Sequence, residues 1–234
     1  YTYTPLTEMN PRRIAFTPVV VESAGRKVCI AEADLEHYPG MFLRNPGQGT
    51  ELRGHFAPVP EKIEQGGHNR LQGVVRSRKP WIAACKGTTS FPWRIVIVAT
   101  EDRQLADNDM VYRLAAPSRV EDISWIRPGK VAWEWWNACG LKGMDFKAGV
   151  NNATYKAYID FAAAHGIEYI ILDEGWSVKL QADLFQVVPE IDLKELVAYG
   201  AARNVGLILW AGYYAFDRDM ERICKHYSEM GIKG

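Results

Sequence analysis

One joint recurs three times in the C-terminal half of this 234-residue chain: His165-Gly166-Ile167-Glu168, Arg203-Asn204-Val205-Gly206 and Met230-Gly231-Ile232-Lys233. Each sets Gly or Asn where a helical pattern ends and a β-branched residue where a strand pattern begins, the signature of a left-handed cap that turns helix into strand. Repeated helix-to-strand joints constrain a fold strongly, because strands connected through helices run parallel.

The segments between the joints complete the pattern. Residues 131–137 (Val-Ala-Trp-Glu-Trp-Trp-Asn) predict strand one. A helix over about 153–165 carries Tyr155, Tyr158, Ile159 and Ala162 on one stripe, with Asn151 or Asn152 as its cap. Residues 167–172 predict strand two, apolar almost throughout, as in a parallel sheet covered by helices. Asp192 and Glu195, in capping-box spacing, open a second helix that buries Leu193, Leu196, Val197 and Gly200. Strand three is predicted over 205–211, and a third helix over about 217–230 buries Met220, Ile223, Cys224 and Tyr227. Ile232 and Lys233 then begin a fourth strand, where the sequence stops. Three parallel strands cannot close on themselves, so the chain is expected to be the leading part of a larger β/α fold. Such alternation also fits a doubly wound sheet. The long loop over 175–191 favours a barrel, whose sites are built from the loops that follow its strands.

The N-terminal half has a different texture. Residues 14–21, 27–31, 71–75, 81–84 and 93–99 read as short strands, separated by turn clusters such as Asn45-Pro46-Gly47 and Asp107-Asn108-Asp109, and predict an antiparallel sandwich. Gly47-Gln48-Gly49 followed by Gly54 reads as a surface turn, since Leu52 stands where a dinucleotide loop needs its third glycine. Arg127-Pro128-Gly129 marks the boundary, giving a β-sandwich portion over 1–127 and β/α units over 128–234.

Composition excludes some functions. Twenty-eight basic and 28 acidic residues cancel, without the basic excess of a nucleic-acid binder. No apolar run reaches membrane-spanning length, and the N-terminus lacks a basic-then-apolar signal pattern. Cys29, Cys85, Cys139 and Cys224 are widely spaced and read as free thiols. Open strand edges at the end of a three-stranded sheet would favour an oligomer that covers them.

In a barrel, the C-terminal strand ends carry the site. Those ends supply Trp135, Trp136 and Asn137, then Asp173, Glu174 and Trp176, then Trp210, Gly212 and Tyr213. Carboxylates beside flat aromatic rings suit sugar binding and glycoside hydrolysis, with Trp135, Asp173, Glu174 and Trp176 as the expected substrate contacts. Asp173 and Glu174 are neighbours whose side chains diverge, so they do not form the reacting pair. Glu134 falls in mid-strand, where it serves packing or a buried ion pair. In the first half, Glu32, Asp34 and Glu36 alternate along an extended segment; they read either as a solvated edge or as oxygen ligands for a hard cation.

Five separated motifs resemble glycoside hydrolase family 97: residues 32–41 (Glu-Ala-Asp-Leu-Glu-His-Tyr-Pro-Gly-Met), 128–137 (Pro-Gly-Lys-Val-Ala-Trp-Glu-Trp-Trp-Asn), 158–162, 170–176 (Ile-Ile-Leu-Asp-Glu-Gly-Trp) and 231–234. The resemblance covers nearly the whole chain. It implies an N-terminal β-super-sandwich, a catalytic (β/α)8 barrel and an α-glucosidase or α-galactosidase activity on α-glycosides or oligosaccharides, in the periplasm. It also implies an active-site Ca2+ with one ligand from the N-terminal domain, a role that falls on Glu32. The nucleophile of retaining members would lie on strand four and the general acid later, so the chain is expected to be an inactive fragment with no catalytic residue of its own. Two other readings remain: a non-catalytic carbohydrate-binding or scaffold protein, and an unrelated barrel enzyme such as an aldolase. The last would want a strand-end Lys, and Lys147 and Lys179 sit in loops.

Overall fold

A computed structural model describes residues 3–47 and 49–234, so Gln48 of the predicted surface turn lies outside the described residues. The chain divides into two compact units, Tyr1–Lys62 with Ser77–Glu121, and Ile63–Arg76 with Asp122–Gly234. The division falls a few residues before the predicted boundary at 127/128. It also gives the stretch 63–76 to the second unit, which linear reading of the sequence did not anticipate.

The first unit is antiparallel β structure. Strands β1 (Ala15–Phe16), β4 (Met41–Arg44) and β5 (Arg53–Phe56) form one sheet in the order β1-β4-β5, and β2 (Val19–Ser23), β3 (Arg26–Ala33) and β8 (Trp93–Ala99) form another in the order β2-β3-β8. The strand predicted over 14–21 is split in two at Pro18, which has no N–H to offer a ladder. The strand predicted over 81–84 is absent; after Pro80 only the Trp81 carbonyl takes part, accepting from Val59 N at 2.9 Å. Two short helices, α1 (Arg103–Ala106) and α2 (Met110–Leu114), follow β8, and Val111 and Leu114 of α2 pack on the core formed by Ala31, Ala33 and Ile95. Fully buried Asn45 ties its loop together, donating to Leu6 O and Gly49 O and accepting from Gly47 N.

A hairpin of β6 (Pro60–Gly66) and β7 (Gln72–Arg78) carries the chain into the second unit at its tip. There β9 (Val131–Trp133), β10 (Tyr169–Leu172) and β11 (Gly206–Leu209) form a parallel sheet in the order β11-β10-β9, alternating with α3 (Asn152–Ala164), α4 (Leu193–Ala201) and α5 (Tyr213–Met230). All three predicted caps are left-handed: Gly166 at φ 60°, Asn204 at φ 58° and Gly231 at φ 103°. The third joint leads into a fourth strand position. Lys233 N donates to Leu207 O at 2.8 Å, and Leu209 N donates to Gly234 O at 2.9 Å, which is pairing alongside β11.

The predicted apolar stripes of α3 and α4 are the core. Tyr155, Ile159 and Ala162 meet Ile170, Leu172, Leu196 and Leu207 in one cluster. Asn151 Oδ1 caps α3 at Thr154 N and Asp192 Oδ1 caps α4 at Glu195 N. The Glu195 carboxylate does not return to its own helix start, binding Lys156 and Asn152 of α3 instead. On α5, Ile223 and Tyr227 are buried, but Met220 and Cys224 are exposed, because the sheet covers only one side of that helix's stripe. No helix among the described residues is long and apolar enough to cross a membrane.

Candidate active-site wall at the strand ends

Strand β9 is shorter than predicted. After Trp133 the chain winds into a 3-10 turn over Glu134–Asn137, closed by Ala138 and Cys139 in the left-handed region. Glu134 is therefore not a mid-strand residue; the turn swings its side chain inward, where it is 3% exposed. Its Oε1 accepts from Asp173 N at 2.7 Å and from Tyr155 OH at 2.9 Å, while Oε2 is buried without a hydrogen-bond partner among the described residues. Burial pushes the Glu134 carboxyl above the ordinary range, only partly opposed by those two donors. Tyr155 is in turn pushed far up by burial and by the Glu134 carboxylate, so its phenol is a permanent donor.

This geometry has a pH consequence. Between the unfolded pKa of a Glu and its raised folded value, the native state holds the proton more tightly than the unfolded state. Stability is therefore lost as pH rises through that window. Glu134→Gln, which cannot ionise, is expected to flatten the fall in urea-unfolding free energy as pH rises above about 4. Equal slopes in the two proteins would show that Glu134 is not the titrating group.

Asp173 was expected to touch substrate, and its surroundings argue against that. It is 8% exposed; Oδ2 accepts from Trp133 Nε1 at 2.5 Å and Oδ1 accepts from Glu174 N at 2.5 Å. Both oxygens are thus held by the protein. Trp133 in turn stacks on Trp135, with ring centroids 5.3 Å apart and planes inclined by 20°, and lies 5.8 Å from Trp136. Asp173 fixes one indole, and that indole supports the next. Trp135 and Trp136 are 58% and 78% exposed, an aromatic surface of the kind sugar rings stack on.

Trp176 is corrected more plainly. It is 1% exposed, donates from Nε1 to Trp210 O at 2.8 Å and meets Tyr227 edge to face. An indole with both faces covered cannot stack on a sugar; it is a core residue. The long loop it opens is itself folded, with Ser177 bridged to Val187 and with Tyr227 OH donating to Leu184 O.

Glu174 is the partly open carboxylate of the group, with 21% of its side chain exposed. It lines a cleft with Asn69, Leu71, Lys179, Trp210 and Gly212. Asn69 Nδ2 donates to Glu174 Oε1, and His68 Nε2 lies 3.9 Å from Oε2. Neither residue was anticipated, since they stand more than a hundred positions before Glu174 and only the fold joins them. The one signal available in the sequence was Gly66-Gly67, a pair that marks a tight turn.

The acidic segment of the first unit does not converge on a cation. Strand β3 ends at Ala33, and Asp34 takes a left-handed conformation at φ 59°, so the expected alternation of side chains breaks there. Asp34 Oδ1 accepts from Ala116 N, and Glu36 pairs with Arg119. The side chain of Glu32 is 2% exposed. Its Oε2 accepts from Met41 N at 2.8 Å and Thr17 Oγ1 at 3.1 Å, and its Oε1 lies 2.7 Å from Arg94 Nη1. That last contact is charge against charge, without the alignment of a hydrogen bond. A carboxylate neutralised by an arginine, with both oxygens turned to protein groups, does not fit the calcium-ligand role that the resemblance implies. No group of three or more metal-ligating side chains occurs among the described residues.

The chain thus joins an antiparallel β unit to parallel β/α units that carry exposed indoles and an open carboxylate at their strand ends. Comparison with known proteins sharpens this. The glycosyl-hydrolase 97 N-terminal model matches residues 1–117, and the glycoside hydrolase 97 model matches residues 133–234. The chain belongs to glycoside hydrolase family 97. It is 57% identical over 235 aligned residues to a retaining alpha-galactosidase of Bacteroides thetaiotaomicron, covering all of this chain and 36% of that relative. It is 34% identical over 199 residues to a probable retaining alpha-galactosidase of Streptomyces bingchenggensis, covering 79% of this chain and 30% of the relative. A family 97 enzyme from Pseudoalteromonas sp. strain K8, solved with acarbose, shares the fold at a TM-score of 0.67 and 24% identity, over 92% of this chain and 32% of that one. The chain thus spans about a third of the length of the relatives it matches.

Proposed function

We propose that this chain supplies one wall of the sugar site of a retaining α-galactosidase, with Trp135 as the stacking platform and Glu174 as the polar contact. The observation that carries this reading is the exposed indole of Trp135 on an indole stack anchored by Asp173, the residue next in sequence to the partly open Glu174. The relatives named retaining alpha-galactosidases support galactoside over glucoside.

Retaining glycoside hydrolysis takes two carboxyl groups about 5–5.5 Å apart flanking the scissile bond. Of the three carboxyls at the ends of β9 and β10, Glu134 and Asp173 are committed inward, leaving Glu174 alone. One open carboxylate cannot make that pair, so in this reading at least one reacting carboxyl comes from another part of a longer polypeptide, and the chain by itself binds without turning over. Glu32 takes no part in metal binding in this reading.

The test is a titration of the chain with methyl α-galactoside and methyl α-glucoside, followed by saturation-transfer NMR. Saturable binding of the galactoside is expected, weakened by about 10-fold in Trp135→Ala through loss of the stacked ring. Binding that is absent, or unchanged in Trp135→Ala, would remove the platform from the site.

A further inference from the structure

We infer that the tip of the β6–β7 hairpin is built into the sugar site and that Asn69 is a positioning residue, holding the Glu174 carboxylate for a sugar hydroxyl. This deepens the function proposed above and rests on it.

The tip is held by the second unit at several points. Leu71 is 8% exposed, and its carbonyl accepts from Tyr214 N at 3.1 Å. It lies so close to Gly212 that a Cβ there would come within 2.9 Å of Leu71 Cβ, so the glycine after β11 is needed for the approach. Gln65 Nε2 donates both to Arg70 O at 2.9 Å and to Leu180 O at 3.0 Å, bracing the turn against the long loop. Between these anchors the backbone takes an unusual path. Gly67, Asn69 and Arg70 all have positive φ, at 69°, 46° and 59°. Gly accepts this freely and Asn tolerates it, but Arg does not, and non-glycine residues in that region persist where surrounding structure over-determines them.

The path turns the Asn69 amide onto Glu174 Oε1. A hydrogen bond to a charged acceptor is among the stronger ones, and with one oxygen fixed the carboxylate loses its rotational freedom. The other oxygen, Oε2, faces His68 Nε2 at 3.9 Å and has no donor within hydrogen-bond distance among the described residues. Lys179 and Trp210 line the same cleft. An acceptor held still, with one lone-pair face open beside an indole and an imidazole, suits a sugar hydroxyl.

The experiment uses the chain with Asn69→Gly, which removes the amide while accepting the left-handed backbone, together with Glu174→Gln and the double variant. The first readout needs no sugar: the Asn69 side-chain amide resonances in the 15N spectrum should be shifted and protected from exchange, and should move on Glu174→Gln. The second is affinity for methyl α-galactoside, expected to fall by about 10-fold in Asn69→Gly, with the double variant no worse than Glu174→Gln alone. If Glu174→Gln weakens binding and Asn69→Gly leaves it unchanged, the positioning role is overturned and the proposed function stands. If the wild-type chain does not bind, or Glu174→Gln binds normally, the site reading fails and the positioning role fails with it. Amide resonances indifferent to Glu174→Gln would overturn the contact itself.

Discussion

Trp176→Ala is expected to cost the β/α unit about 3–5 kcal/mol, the range for deleting a large aromatic side chain from a packed core. The indole is 1% exposed and lies among Leu184, Leu209, Ile223 and Tyr227, so its loss leaves a hole that backbone pairing on both sides prevents from collapsing. Trp176→Phe separates the contributions. It keeps most of the ring volume but removes the Nε1 hydrogen bond to Trp210 O, leaving that carbonyl short of a donor, at about 1 kcal/mol. Urea unfolding monitored by near-ultraviolet circular dichroism measures both. A Trp176→Ala protein within 1 kcal/mol of wild type, with altered galactoside affinity instead, would return Trp176 to the substrate site and refute its assignment to the core.

The second large effect falls in the other unit. Removing one member of a buried ion pair leaves the other charge uncompensated, and such breaks cost about 3–5 kcal/mol. Arg94→Met is expected to do this, because it strands Glu32, whose side chain is 2% exposed. Arg94 also lies over the Phe56 ring at 5.2 Å and the Tyr38 ring at 5.9 Å, so the loss includes packing. Glu32→Gln should be milder, since an amide oxygen still accepts from Met41 N, and adding it to Arg94→Met should recover part of the loss. The same variants discriminate an ion pair from a calcium ligand. A ligand role would make Glu32→Gln lower calcium affinity and leave calcium-free stability untouched; the ion pair requires the reverse. Additive losses in the double variant would show that the two side chains are not coupled.

The parts of the fold legible in the sequence are those with local causes. A Gly or Asn at the end of a helix registers the need for positive φ, and Gly166, Asn204 and Gly231 carry it. The stripe of α3 registers one-sided burial at helical spacing, and its four predicted members are all in the core. Strands in the first unit were harder. β6 (Pro-Glu-Lys-Ile-Glu-Gln-Gly) carries three charged residues and hardly any apolar alternation, and β4 and β5 are only four residues long. Their stability comes from ladders with partners distant in sequence, which short and polar segments do not advertise.

The candidate site shows the same division more sharply. The sequence placed aromatic and acidic side chains at strand ends, because strand and helix periods locate those ends. It could not tell which side chains face outward. Trp133 to Trp136 were read as one strand, yet the turn after Trp133 sends Glu134 inward and leaves Trp135 and Trp136 outside. Asp173, Glu174 and Trp176 stand within four positions of one another, and they end as an anchor for an indole, an open carboxylate and a core residue.

The sequence alone therefore determined the β/α order and the helix caps, which follow from propensities and spacings within a few residues, and its separated motifs carried the resemblance to the family. The tertiary structure decided that Glu32 answers to Arg94, that Asp173 answers to Trp133 and that Asn69 reaches Glu174. The reason is physical. Whether a carboxylate is a ligand, an anchor or a substrate contact depends on which donors meet its oxygens. Those donors come from segments 40 to 105 residues away, brought together only by the packed fold.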